Sequence, residues 1–251
     1  MKAPDTESRE RREIDFWSES ETERPGEFSV DLVTHKLSEA RVFLEKLAAF
    51  REEFERANVI VELGGGQCWT SCIVKRELGA TRQVFGTDIA PDAVVSVHRW
   101  EGLFDTQLDG ALATRSYATP FSDGSVDLVF VFAAAHHFGS HRRTLGEIAR
   151  ILRPGGVGLY LHEPGCRDWI YPFAYRRVMA KRPVVPEDVL RYRHIASLAD
   201  EAGLDAEVRH APTTTYRGAT ETLYYLALQK LRPLQDVLPC SVDIVFRKRR
   251  A

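Results

Sequence analysis

Apolar residues recur at helical spacing from Leu32 to Phe54, through Leu37, Ala40, Phe43, Leu47 and Phe50, which predicts a packed helix over about 31–56. The period then changes. Val59–Leu63 is a short β-branched run stopped by Gly64, Gly65 and Gly66, the pattern of a strand buried on both faces. A helix over about 68–78, a strand over 83–88 ending in Asp88, and a short helix near 91–100 follow. A weaker strand near 111–116 precedes a clear one over 126–132. A helix over 142–152 then leads through Arg153–Pro154–Gly155–Gly156 to a strand over 157–161. A helix at 195–202 and strands at 206–210 and 241–248 complete the pattern. This alternation argues for a doubly wound, Rossmann-like α/β sheet. Residues 1–56 read as an N-terminal arm and capping helix, with a charged stretch ending at Pro25–Gly26, and residues 57–251 as one domain. Phe16–Trp17 is the apolar exception in the arm, a pair that needs something to cover. Two stretches interrupt the alternation, 164–193 and 212–240, and insertions of this length beside a sheet's carboxyl edge commonly build pockets or lids.

Composition narrows the picture by exclusion. The chain has 251 residues, with 34 Lys and Arg against 36 Asp and Glu, a formal charge of −2, so no global field points to nucleic acid or an anionic surface. The basic run Arg247–Arg250 reads as a solvated tail. Cys68, Cys72, Cys166 and Cys240 show no CxxC spacing and read as reduced thiols, with no metal expected. Neither a leader-like apolar segment nor a stretch long enough to span a bilayer is visible, so the expected location is cytoplasmic.

The chemistry is concentrated in Val61–Glu62–Leu63–Gly64–Gly65–Gly66–Gln67–Cys68. A strand running into glycines lets the backbone approach a ligand that a Cβ would obstruct, and the free N–H groups of the following helix face the same crevice. A dinucleotide site would want a third glycine where this chain has Trp69. A site for S-adenosylmethionine wants an acid two residues before the first glycine, and Glu62 supplies it. Asp88, 22 residues beyond Gly66, ends the next strand where an acid can accept from both ribose hydroxyls.

From Val59 to Glu163 the sequence resembles the class I S-adenosylmethionine-dependent methyltransferases, in particular the small-molecule branch that includes ubiquinone-biosynthesis-type enzymes. The matching blocks are Glu62-x-Gly64-x-Gly66, Thr87–Asp88–Ile89, Thr119–Asp127, Phe132–Phe138 and Ile151–Gly156. The resemblance implies a seven-stranded, mostly parallel sheet with an antiparallel last strand. It implies that Glu62 and the backbone of Gly64, Gly65 and Gly66 hold the amino-acid end of the cofactor, that Asp88 holds the ribose, and that Ile89 and Phe132 wall the site. The family's third glycine is Cys68 here. Where the family commonly has an acid facing the adenine amine, this chain has Arg115, which leaves the adenine edge to Ser116, Tyr117 or backbone groups.

Methyl transfer asks mainly for in-line approach and exclusion of water, and a hydroxyl or amine acceptor must also lose a proton. His136 is the expected base, with His137 packed against the following helix; His162 and Glu163 form a second candidate pair. The aromatic and basic residues of the insertions, including Trp169, Phe173, Lys181–Arg182, Tyr216 and Tyr225, suit a lid over a small molecule, and His35–Lys36 is a further candidate to face it. Nothing in the sequence distinguishes a sugar, quinone, polyketide or peptide acceptor, or sets the oligomeric state. Two alternatives stand beside this reading: a nicotinamide-dependent oxidoreductase, and a protein that binds S-adenosylmethionine without catalysis.

Overall fold

Stiff β-branched and aromatic side chains pack well on a pleated surface, and alternate residues of a strand reach opposite faces. In β4 (Val126–Phe132) this sends Leu128, Phe130 and Phe132 into one core layer and Val129 and Val131 into the other. The computed structural model describes residues 6–20, 28–180, 187–215 and 217–250. Pro25–Gly26, Lys181–Arg182 and Tyr216 lie outside the described residues.

The chain opens with α1 (Thr6–Glu19), α2 (Val30–Ala49) and α3 (Arg51–Arg56), so the predicted helix over 31–56 is divided at Phe50. Ser29 caps α2 by accepting from the Leu32 N–H. There follow β1 (Val59–Leu63), α4 (Trp69–Leu78), β2 (Gln83–Asp88), α5 (Pro91–Val95), α6 (Val97–Phe104), β3 (Gly110–Ala113), β4, α7 (His141–Ile151) and β5 (Leu152–Cys166). Next come α8 (Tyr171–Ala180), β6 (Leu190–Arg191), α9 (Tyr192–Glu201), β7 (Leu204–His210), α10 (Ala219–Lys230) and β8 (Cys240–Lys248).

The strands hydrogen-bond in the order β3-β2-β1-β4-β5-β8-β7, with β6 paired to β5 as an eighth strand beyond the seven expected. β8 runs antiparallel to β5 and β7, and every other pairing is parallel. The order reverses between β1 and β4, so the crevice for a ligand opens at their carboxyl ends. One core layer packs α2, α3, α4 and α6 on the sheet, and the other packs α7 and α9. β5 is longer than the predicted 157–161. Its register against β8 shifts between Tyr160 and Glu163, where His162 takes φ +60°.

Candidate functional site

β1 feeds a turn in which Gly64 (φ +70°) and Gly66 (φ +55°) adopt left-handed backbone. A Cβ on Gly66 would stand 2.7 Å from the Trp17 indole of α1, and one on Gly64 would stand 3.0 Å from Phe138. Cys68 is left-handed as well (φ 58°) where it starts α4, and its Sγ lies 2.5 Å from where a Cβ on Gly86 of β2 would be. The departure from glycine at 68 is therefore accommodated by a glycine across the turn. Glu62 is sealed behind this loop at 1% exposure, accepting from the Thr70 hydroxyl and from the Ser71 N–H (3.1 Å) and Oγ (2.5 Å). Burial raises its carboxyl to about 7 against these donors. Glu62 lines neither cavity described below, so it holds the turn rather than facing the crevice: three donors in the first turn of α4 draw its carboxylate inward.

Asp88 closes β2. Its Oδ2 accepts from the Gly66 N–H and its Oδ1 from the Ala90 N–H, both at 2.8 Å, which joins the ends of β1 and β2. Burial pushes its carboxyl up and these N–H donors oppose the shift. A cavity of about 60 Å³ lies to one side, walled by Ile89, Ala134 and Phe138 and edged by Ser116, Tyr117 and Glu10. A larger one of about 810 Å³ lies to the other, where Phe132, His136, His162, Arg217 and Tyr225 are exposed to the interior space. Gly64, Asp88, Ala134 and His137 line both. Of the expected adenine contacts, Ser116 pairs its hydroxyl with Thr144 at 2.8 Å, and Tyr117 donates to Glu10 beneath the Arg143 guanidinium. Both side chains are thus already engaged.

The histidines divide differently from expectation. His136 and His137 both reach the larger cavity, ring centroids 4.2 Å apart, and the ring packed at the start of α7 is His141, against Phe138 and Tyr160. Glu163 is fully buried and accepts from the N–H groups of Ala134 (2.9 Å), Ala135 (2.8 Å) and His136 (3.2 Å) and from His136 Nδ1 (2.8 Å). Burial lowers the His136 imidazole, yet the bond to Glu163 and its charge outweigh this and leave it above its ordinary value. His162 stacks near Phe132 (5.9 Å) and burial holds it down to about 3; its Nδ1 is buried with no hydrogen-bond partner among the described residues. The Lys46–Asp243 ion pair (2.8 Å) lies behind it, and Asp243 Oδ1 accepts the His162 N–H at 2.9 Å.

Sequence reasoning gave α1 no part in the site. Its Trp17 covers Gly66, and its Glu13 lines both cavities, its carboxyl raised to about 7 first by burial and then by Asp88. The unsatisfied apolar pair Phe16–Trp17 was the one available signal, and it packs with Ala90, just before α5, and Ala93 within it. His35 and Lys36 do reach the larger cavity. Of the insertions, Arg217 and Tyr225 line it, whereas Trp169 and Phe173 are 59% and 71% exposed. Among the described residues no three His, Cys, Asp or Glu side chains converge as metal ligands, and no helix is long and apolar enough to cross a membrane.

Residues 61–160, the glycine turn through the middle of β5, match the family model described as "Methyltransferase domain". Over these residues the chain is similar to methyltransferase domains. Demethylmenaquinone methyltransferase of Thermus thermophilus is 27% identical to this chain over 111 residues, which is 43% of this chain and 50% of that protein. The chain thus spans about half the length of this curated relative. Geranyl diphosphate C-methyltransferase of Streptomyces coelicolor, solved with Mg2+, geranyl diphosphate and S-adenosyl-L-homocysteine, superposes with a TM-score of 0.71 at 11% identity, over 98% of this chain and 100% of its own. Phosphoethanolamine N-methyltransferase 2 of Haemonchus contortus, solved with S-adenosyl-L-methionine, gives 0.63 at 14% identity, over 95% of this chain and 60% of its own. These likenesses show the fold, and since one protein is named for a carbon acceptor and the other for nitrogen, the fold does not choose the nucleophile.

The residues fit S-adenosylmethionine. The glycine turn opens on both cavities at Gly64, and Asp88 at the end of β2 and the apolar Ile89, Ala134 and Phe138 line the smaller one. A nicotinamide dinucleotide fits less well: the position that should be glycine is Trp69, 6% exposed and packed on Phe43 and Phe132.

Proposed function

We propose that this protein transfers the methyl group of S-adenosylmethionine to an oxygen or nitrogen of a small-molecule acceptor. The observation that carries the reading is the meeting of a narrow and a wide cavity at Gly64 and Asp88, with the His136–Glu163 pair on the wide side. The Gly64–Gly66 backbone holds the amino-acid end, with Gly65 at its centre and Glu62 bracing it from behind. Asp88 accepts from the ribose, Ile89 and the backbone at Ser116 and Tyr117 border the adenine, and Phe132 walls the acceptor side. When bound, the cofactor supplies a methyl on a sulfonium, a good leaving group. As the new C–O or C–N bond forms and the C–S bond breaks, the acceptor's proton passes to neutral His136. Glu163 accepts from His136 Nδ1 and so leaves Nε2 as the basic nitrogen.

Calorimetry tests the cofactor assignment. S-adenosylmethionine and S-adenosylhomocysteine should bind, unaffected by nicotinamide dinucleotides. Asp88→Ala should weaken both at least about tenfold, given about 1.5–3 kcal/mol for each charge-assisted bond. Tight binding of a nicotinamide cofactor, and none of S-adenosylmethionine, would overturn the assignment.

A further inference from the structure

A helix that merely shelters a sheet turns apolar side chains inward. α1 does otherwise. Thr6, Glu10, Glu13 and Trp17 follow the 3- to 4-residue spacing of one helical face. Thr6 meets Gly139, Glu10 and Glu13 line the smaller cavity, and Trp17 covers Gly66. Two carboxylates on the covered face have no value for packing, since each must be desolvated there.

Glu10 is the better placed of the two. Its Oε2 accepts from Arg115 Nε at 2.9 Å and its Oε1 from the Tyr117 hydroxyl. The Arg115 side chain is 55% exposed and that of Glu10 only 10%, so the more exposed guanidinium balances the charge while the carboxylate stays at the cavity edge, which Arg115 also borders. Each carboxylate oxygen can accept more than one hydrogen bond, which leaves capacity on the cavity side. Among the other lining residues, Ile89, Ala134 and Phe138 present apolar surface that suits a flat ring. Of the neutral polar side chains at that edge, Ser116 pairs with Thr144, Tyr117 with Glu10 and Thr114 with the Ala118 carbonyl.

We propose that Glu10 of α1 accepts the exocyclic amine of the cofactor's adenine, so that the N-terminal helix is a base-specificity element of the cofactor site. The proposal rests on the cofactor reading above. A buried acceptor placed for an amine rejects the analogue that presents an oxygen there, because two acceptors are then left facing each other.

The test compares S-adenosylhomocysteine with S-inosylhomocysteine, its 6-oxo analogue, by calorimetry on the full chain. The wild type should favour the adenosyl ligand at least tenfold. In Glu10→Gln, whose amide can donate to the 6-oxygen, that preference should fall at least tenfold with the melting temperature little changed. In Glu10→Ala it should vanish. If Glu10 only fastens α1 to Arg115 and Tyr117, Glu10→Ala weakens both ligands equally and the ratio stays at the wild-type value, which overturns the proposal. A wild type that binds both ligands without preference overturns it too, leaving the cofactor reading intact. Binding of neither ligand to the wild type would remove the cofactor reading and this one with it.

Discussion

Burial alone would leave His136 neutral over most of the pH range, since desolvation disfavours the imidazolium. Glu163 reverses the direction, and that sets the sign of a pH prediction. A general base works in its neutral form, so turnover should rise with pH through the elevated His136 value. Glu163→Gln removes the anion, lets desolvation prevail, and should move the acid limb of the pH profile downward. His136→Ala should spare cofactor affinity and cost roughly a hundredfold or more in turnover, the usual size of a general-base contribution. An unmoved acid limb in Glu163→Gln would show that His136 is not the titrating base. The other two candidates are poorer: Glu163 already serves four donors, and His162 is held down to about 3, too weak to draw a proton at neutral pH. At the left-handed His162 the strand leaves the imidazole on the wall of the larger cavity and Glu163 buried.

At the scale of elements, the strands and the two anchors of the glycine turn and Asp88 were legible because each is local: a β-branched run, a glycine stop, an acid at a strand end. The part played by α1 was not. Arg, Glu and Asp dominate its 14 residues, and from composition alone they read as solvated; only the fold shows which face meets the crevice. The partnership of Cys68 with Gly86 was also hidden, since it joins residues of separate elements through sterics rather than pattern. It predicts a rescue. Gly86→Ala should place a methyl against Cys68 and cost about 1–3 kcal/mol, as overpacking of a core does. Adding Cys68→Gly removes the obstructing side chain and should recover most of the lost melting temperature. No recovery in the double variant would mean that the β1–α4 turn and β2 do not meet in this way.

Across the whole molecule, α2 is tied to β8 by the buried Lys46–Asp243 pair, which joins residues 197 positions apart. Lys46→Met should leave Asp243 as an uncompensated buried charge and destabilise by about 3–5 kcal/mol in urea unfolding. Replacing both residues, with Asp243→Leu beside Lys46→Met, should restore part of this, less the acceptor lost to the His162 N–H. A single variant as stable as the wild type would show the pair to be dispensable. The covering of Gly66 by Trp17 has an optical consequence. The chain's four indoles occupy distinct surroundings: Trp100 donates to Gln67, Trp69 is packed among aromatic rings, and Trp169 is in solvent. Trp17 sits on the crevice wall with its Nε1–H buried and unpaired among the described residues. A ligand entering beside Gly66 must change the polarity around Trp17, and around Trp69 on the same cavity, far more than around Trp100 or Trp169. The emission spectrum of the unlabelled protein therefore doubles as a gauge of occupancy, and a Trp17→Phe chain is the blank for the Trp17 share.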